Sequence, residues 1–399
     1  IGLAGLGVVG KGVYDILQKD AALISKKTQT NIRIVAAASR TKKDFLDPSI
    51  RFYENILDLA SDAEVDVIVE VIGGKTTAKD LFLAAMKNGK KIVTANKALL
   101  AEDGFEIAQL VEENNSYIGF EASTVAANPL IKSFKESFVS SDIKEFYGIL
   151  NGTCNFILCK MHDEKRPYAE ILSEAQELGY AEADPAFDIK GMDAAHKLAL
   201  LSAIASSTKP EFDKIYKQGV DEVDLEDIEF AQELGYRVKL LGIYRQLEGE
   251  TQQSVYPALI KSSEKLALVD DSYNALLTLG SNMDHNFMVG RGAGGLTTGA
   301  AVVSDLIDIA RGSDNTSLFN VKTADLADAK ITDISDRIGK YFLRLTLNKE
   351  LSKQDDLSER LFAGKIQIEQ AHMINREEEI LCGFITSKIK EKDLVNILS

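Results

Sequence analysis

The sequence predicts an α/β protein: a doubly wound parallel sheet, then an α+β body, then a small βαββα tail. Three observations carry this expectation. The chain opens as an apolar strand, a glycine-rich loop and an amphipathic helix. Strands and helices then alternate to about residue 125, and a different, shorter alternation begins near Gly339. With 399 residues the chain has room for two or three domains, each with an ample core. Its 45% hydrophobic and 27% charged content is ordinary for a soluble globular protein. A formal charge of −15 argues against nucleic acid and anionic membrane as partners, because neither attracts an acidic surface. No apolar run approaches the roughly 18 residues of a membrane span. The three cysteines, Cys154, Cys159 and Cys382, have no C-x-x-C spacing and read as reduced, buried thiols of a cytoplasmic protein. The first residue already lies in a strand, so further residues are expected before it. No signal peptide is recognisable.

IGLAGLGVVGKGVYDIL carries the Gly-x-Gly-x-x-Gly pattern of a Rossmann dinucleotide site in Gly5, Gly7 and Gly10. The first glycine permits the tight turn, the second lets backbone approach a pyrophosphate, and the third lets helix pack on strand. Val8 and Val9 then stand at the helix start, where free N–H groups and the positive dipole end face the phosphates. NIRIVAAASR reads as the second strand and ends in Arg40, where an acidic residue would suit the ribose of NAD. An arginine suits a 2′-phosphate, and Lys42 and Lys43 add charge, so NADP is the expected cofactor, with NAD the alternative. VDVIVEVIGG is a buried strand and KTTAKDLFLAAMKNG a helix. KKIVTANKALLA reads as a strand running into a turn, AEDGFEIAQLVEENN as a helix and SYIGFEAS as another strand. Ligands in such sheets sit beyond the carboxyl ends of the strands, which collects Gly73, Gly74, Thr94, Asn96, Lys97 and Glu121 around one crevice.

From about residue 125 a helix and a strand lead to the polar turn Asn151-Gly152-Thr153 and another helix. Gly179 to Leu201 follows as the stretch densest in chemistry. It holds Tyr180, Glu182, Asp184, Asp188, Asp193 and Lys197, and Asp193 and Lys197 share one helix face at i, i+4. The helix is apolar along Leu198, Leu201 and Ile204. Residues 209–275 read as alternating short strands and helices. The acidic run DEVDLEDIEFAQEL reads as a solvated helix face without chemistry. Gly290, Gly292, Gly294 and Gly295 precede a long helix, a density that suggests backbone pressed against a ligand or another chain. In the tail YFLRLTL, KIQIEQAHMI and EEILCGFITS look like strands, and LSERLFA and KEKDLVNIL like helices.

Over roughly residues 1 to 312 these stretches resemble homoserine dehydrogenases. The resemblance rests on GLGVVG, EVIGG, VTANKALLA, FEAS, GILNGTCNFIL and GRGAGG, and above all on LGYAEADPAFDIKGMDAAHKLALL at 178–201. It implies NAD(P)-dependent interconversion of aspartate 4-semialdehyde and homoserine, on the route to threonine and methionine. It implies that Lys197 protonates the aldehyde oxygen, that Asp193 holds Lys197 and substrate, and that Lys97 assists beside the nicotinamide. Glu182 would receive the substrate ammonium, with Asp188 nearby, and Gly179 and Gly294 would touch the cofactor. The main-chain N–H groups of the turn at Gly152, with Thr153, would serve the carboxylate. The domains expected are 1–125 for NAD(P), completed by a helix at about 296–312, then 126–320 for catalysis and dimerisation, and 338–399. A homodimer or higher homo-oligomer follows from the resemblance. The alternative reading is an NAD(P)-binding sensor without turnover.

Two departures stand out. The family binds a monovalent cation, usually sodium, through backbone carbonyls that fall here on Glu121, Thr124, Ala126 and Asn128. This chain reads STVAANP where the family has the glycine pair of SVAGGIP, and GGLTTGAA where it has GG-x-PTASA. The tail resembles an ACT regulatory domain, which makes threonine a candidate effector, but NKELSKQDDL lacks the Asp-x-Pro-Gly signature expected after the first strand.

Overall fold

A computed structural model describes residues 1–348 and 365–398. The predicted LSERLFA helix and nearly all of the NKELSKQDDL loop lie outside the described residues. The first sheet is built from β1 (Gly2–Ala4), β2 (Ala36–Ala38), β3 (Arg51–Tyr53), β4 (Val67–Glu70), β5 (Lys91–Thr94) and β6 (Ile118–Gly119). Its order is β3-β2-β1-β4-β5-β6 and every pairing is parallel. Strand order therefore reverses between β1 and β4, which opens a crevice beyond their carboxyl ends. Helices α1 (Val8–Lys19), α2 (Ala21–Thr28), α3 (Asp58–Ser61), α4 (Thr76–Lys87), α5 (Lys97–Glu102) and α6 (Gly104–Glu113) make the connections. Two expectations need correction. The second strand is only three residues long, so Arg40 stands two residues past its end. The segment after β5 is no simple turn, because Asn96 caps the short helix α5 by accepting from the Leu99 N–H at 3.1 Å.

After α7 (Leu130–Lys132), which runs on into a π-helical turn at Ser133–Ser137, the chain enters a second sheet. Its strands are β7 (Ile143–Ile149), β8 (Tyr216–Lys217), β9 (Tyr236–Gln246), β10 (Thr251–Lys261), β11 (Tyr273–Gly280) and β12 (Met283–Arg291), in the order β12-β11-β7-β9-β10-β8. The expected short strands of 209–275 are in fact dominated by a long antiparallel hairpin, β9 and β10, of 11 residues each. Pro257 is what makes this stretch look broken. It is tolerated because β8 pairs with β10 only at Ser254 and Val255, so the N–H that proline lacks would face an open edge. Helices α8 (Gly152–Glu164), α9 (Tyr168–Glu177), α10 (Ala186–Ile189), α11 (Met192–Ser206) and α12 (Leu225–Glu233) cover one face. Rather than showing a single apolar stripe, α11 is buried on every residue from Asp193 to Ile204. It lies between the second sheet and α5, which is the environment of a helix buried all round.

The last long helix, α13 (Gly295–Ala310), turns back to the first sheet. Ala301, Val302, Val303 and Leu306 share a core with Leu3, Val13, Leu17, Val69 and Val93. Glycine makes the crossing of α1 and α13 possible. A Cβ on Gly12 would stand 2.0 Å from the Gly295 carbonyl oxygen, and one on Gly299 would stand 2.8 Å from the Gly12 carbonyl carbon. Of the glycine-dense stretch, Gly295 presses on the backbone of α1, and Gly292, Gly294 and Gly295 also line a cavity.

The tail pairs β14 (Phe342–Asn348), β15 (Ile368–Asn375) and β16 (Glu379–Thr386) in the order β14-β16-β15. A two-strand pair, β13 (Ile338–Gly339) with β17 (Ile389–Lys390), and helix α14 (Glu391–Leu398) complete it. The acidic run at α12 is more than a solvated face. Arg344 of β14 binds Asp224 in two hydrogen bonds at 2.6 and 2.8 Å, reaches Asp227 at 3.2 Å and pairs with Glu226. Phe230 lies under Gly383, whose Cβ would come within 2.6 Å of the ring. A Gly12→Ala substitution is expected to lower stability by about 1–3 kcal/mol. Urea unfolding would check it, and an unchanged midpoint would show that the two helices are not in close contact.

Candidate active site

The crevice is shaped first by β1 and the loop after it. Gly5 has φ +107°, and its Cβ would stand 2.8 Å from the Val71 carbonyl oxygen, so only glycine fits this turn. Gly10 packs with no room for a side chain against the Gly5 carbonyl, whereas Gly7 has nothing within 4 Å and leaves its backbone open. A cavity of about 790 Å³ over this loop is lined by Gly5, Gly7, Arg40, Lys43 and Gly73. The floor is held by Glu70, a fully buried carboxylate at the end of β4. It accepts the N–H groups of Ile72 and Gly73 and, at 2.6 Å, the Thr94 hydroxyl. Thr94 in turn accepts the Asn96 N–H at 2.9 Å, and Asn96 starts α5 with Lys97 as its first residue. Burial raises the Glu70 pKa, against the opposing effect of these donors.

A second cavity of about 1060 Å³ adjoins the first and lies between the two sheets. Val8, Val9, Lys97, Gly152, Thr153, Gly179, Tyr180, Glu182, Asp188, Asp193, Lys197 and Gly294 all line it. At its base the Asp193 carboxylate meets two ammonium groups, Lys197 Nζ at 2.8 Å and Lys97 Nζ at 3.2 Å. Lys197 also donates to the Leu150 carbonyl at 2.7 Å, and Asn151 donates to Asp193 at 2.9 Å and to Asp188 at 2.8 Å. Burial alone would raise the Asp193 pKa, but Lys197, Lys97 and the hydrogen bonds more than offset it and hold the carboxylate well below its ordinary range. Asp188 moves the other way, raised by burial and by the charge of Asp193. The Glu182 carboxylate lines the same cavity, is exposed and has no partner among the described residues.

Several predicted residues stand elsewhere. Thr94 and Gly10 are built into the protein beneath the cavities and line neither. The Thr153 hydroxyl donates to the Tyr180 carbonyl at 2.7 Å, which leaves the turn's N–H groups facing the cavity without it. Of Glu121, Thr124, Ala126 and Asn128, only Thr124 lines the larger cavity. The Glu121 side chain accepts the N–H groups of Ile131 and Lys132, both at 2.9 Å, and burial pushes its pKa up to about 7. Neither Ala126 nor Ala127 has positive φ, so alanines fit this turn without strain. The turn is fastened to the end of β12 by the Ala126 and Ala127 N–H groups, which donate to Gly292 and Arg291. Residues missed from sequence include Glu70, the helix-capping Asn151 amide that joins Asp188 to Asp193, and the Glu102–His196 contact at 2.9 Å behind α11. An Asn directly before a helix was the available signal for Asn151.

With this geometry, comparison with known proteins is decisive. Residues 5–121 match the family model "Homoserine dehydrogenase, NAD binding domain", and residues 129–307 match "Homoserine dehydrogenase". The chain belongs to the homoserine dehydrogenase family. The homoserine dehydrogenase of Neisseria gonorrhoeae is 40% identical over 376 residues, 92% of this chain and 86% of that one. That of Bacillus subtilis is 33% identical over 404 residues, covering 100% and 93%. The crystal structure of a homoserine dehydrogenase from Thiobacillus denitrificans is 37% identical and superposes with a TM-score of 0.92, covering 99% of this chain and 93% of that one. A hyperthermophilic archaeal homoserine dehydrogenase solved with NADPH is 25% identical, with a TM-score of 0.65 over 77% of this chain and 96% of its own. The protein is thus an NAD(P)-dependent oxidoreductase, and the sensor reading finds no support among these relatives. Among the described residues no helix is long and apolar enough to cross a membrane. An Asn151→Ala substitution removes the α8 cap and a donor to the buried Asp193 and the half-buried Asp188 carboxylates. It is expected to lower stability by about 1–2 kcal/mol, read from urea unfolding.

Proposed function

We propose that the enzyme reduces L-aspartate 4-semialdehyde to L-homoserine, reversibly, in threonine and methionine biosynthesis, with NADPH preferred over NADH. One observation carries the reading: a single buried carboxylate, Asp193, braces two ammonium groups at the foot of a cavity that opens onto the dinucleotide loop. The cofactor fits the residues present. Gly7 leaves room for a pyrophosphate, the N–H groups at Val8 and Val9 point outward from α1, and Arg40 with Lys43 offers charge for a 2′-phosphate. When bound, the nicotinamide supplies the hydride. Lys197 stabilises the negative charge that develops on the aldehyde oxygen and gives it a proton; in the reverse direction it takes that proton back. Lys97 adds a second positive charge, and Asp193 fixes both ammonium groups in place. Glu182, without a partner of its own, receives the substrate ammonium, with Asp188 and Tyr180 beside it. Gly179 and Gly294 border the cofactor.

The same proposal divides the chain at 1–125, 126–320 and 338–399, with α13 serving the first part, whose core it shares. A sodium ion would sit in the turn after β6, on the carbonyls of Glu121, Thr124, Ala126 and Asn128. Those of Thr124 and Ala126 meet no donor among the described residues, while the Asn128 carbonyl also accepts the Leu130 N–H at 2.7 Å. A half-buried apolar row on the second sheet, including Tyr147, Tyr256, Ile260 and Phe287, supports a homodimer. Threonine remains the effector proposed for the ACT-like tail, whose docking helix α12 packs on α8. The three free buried cysteines suit a reducing cytoplasm.

The deciding assay is consumption of NADPH and NADH with aspartate 4-semialdehyde, and absence of turnover with either would sink the reading. Lys197→Ala is expected to lower kcat by about 10²–10⁴-fold while leaving NADPH binding intact. Arg40→Asp is expected to weaken NADPH by about 10–100-fold and NADH far less; an unchanged ratio would place 2′-phosphate recognition elsewhere.

A further inference from the structure

Helix α5 is too short to hold its own direction. It has six residues, a marginal length, so the aim of Lys97, its first residue, is set by what the helix touches. One tether is the Asp193 carboxylate, 3.2 Å from Lys97 Nζ. The other stands at the far end, where Glu102, the last residue of α5, meets His196 Nε2 at 2.9 Å. Asp193 and His196 stand at i, i+3 on α11 and so share a face. Together they hold both ends of α5.

His196 also acts on Lys97 from below. Its ring stacks on Phe212 at 4.0 Å between ring centres and on Phe187 of α10 at 5.5 Å. Lys97 Nζ lies 5.6 Å over the same Phe187 ring, within reach of its negative face. The imidazole therefore backs the ring beneath the ammonium and fastens the helix that carries it. Lys75 and His196 hold Glu102 ionised, and a carboxylate only accepts, so Nε2 bears the proton. Nδ1 is buried with no partner among the described residues, and an imidazolium would bury a second N–H there with no acceptor. Burial likewise lowers the pKa of the ring, against the pull of Glu102. His196 is thus a neutral donor that adds no charge beside Lys97.

We propose that His196 is the positioning residue of Lys97. It lines neither cavity, and it sets the ammonium against Asp193 by holding Glu102 on one side and Phe187 on the other. The part Lys97 plays in turnover rests on the reaction proposed above; its placement by His196 does not.

The placement is read on the full-length protein without added ligand. Lysines are methylated with formaldehyde and cyanoborohydride, and peptide mass spectrometry follows Lys97 against the exposed Lys87 of α4. His196→Ala is expected to speed methylation of Lys97 by about threefold or more relative to Lys87. Glu102→Leu cuts the same hydrogen bond at a part-exposed side chain, and carries the test where the alanine variant does not fold. Turnover gives a second readout. His196→Ala is expected to lower kcat for homoserine oxidation by about 10–100-fold. In a Lys97→Met background the same change should cost less than about twofold, because nothing is left to position. Equal losses with and without Lys97 would overturn the proposal and leave His196 a general support of α11. Unchanged methylation of Lys97 in whichever variant folds would overturn it as well. Failure of the wild-type enzyme to oxidise homoserine removes the reaction and leaves the methylation test standing.

Discussion

The contact of Asp193 with Lys97 and Lys197 is the constraint on which the rest of the molecule depends. Lys97 begins α5 at the end of the first sheet, and Asp193 and Lys197 begin α11 on the second, so this ion triad is also a joint between the two halves. Burying the charges of Asp193 and Lys197 is unfavourable unless each is well partnered, and here the Leu150 carbonyl and the Asn151 amide add to their mutual contact, with the part-exposed Lys97 beside them. Two ammonium groups meet at Asp193, with Asp188 held alongside by the Asn151 amide. Ammonium groups fixed in this way need little reorganisation to meet developing oxyanion charge. Removing one member strands the others, a loss on the order of 3–5 kcal/mol for a buried pair, which makes the triad structural as well as chemical.

A second chain of contacts runs outward from the same place. Asn151 ends at the cavity as the cap of α8, α8 packs on α12, and α12 carries the acidic face that holds Arg344 and the Phe230 ring that supports the tail. Each link is a packed or hydrogen-bonded contact, so the tail and α8 are joined through one intervening helix.

How much of this the sequence disclosed depends on how local each cause is. The loop at Gly5, Gly7 and Gly10 was legible because the geometry needed for close backbone approach leaves only glycine, and the i, i+4 spacing of Asp193 and Lys197 is a property of one helix. Lys97 was read into a turn because Ala98, Leu99 and Leu100 continue an apolar run, and only the Asn96 cap separates helix from strand there. The long β9–β10 hairpin was hidden by Pro257, whose tolerance depends on where β8 stops. The purpose of the acidic run was invisible because its partner, Arg344, lies 120 residues further along the chain.

The crossing of α1 with α13 bears on how the protein is made. The face of the first sheet that carries Leu3 and Val69, with Val13 of α1 upon it, is closed by Val302 and Leu306, so about 300 residues must be made before that face is covered. Until then the nascent dinucleotide fold exposes an apolar groove shaped for a helix. In vectorial synthesis such a groove is a binding site for chaperones and a hazard for aggregation. Closure of this part of the fold therefore waits for one late clasp, in which Gly295 and Gly299 of α13 close onto Gly12 and fasten α1 to a helix made hundreds of residues afterwards.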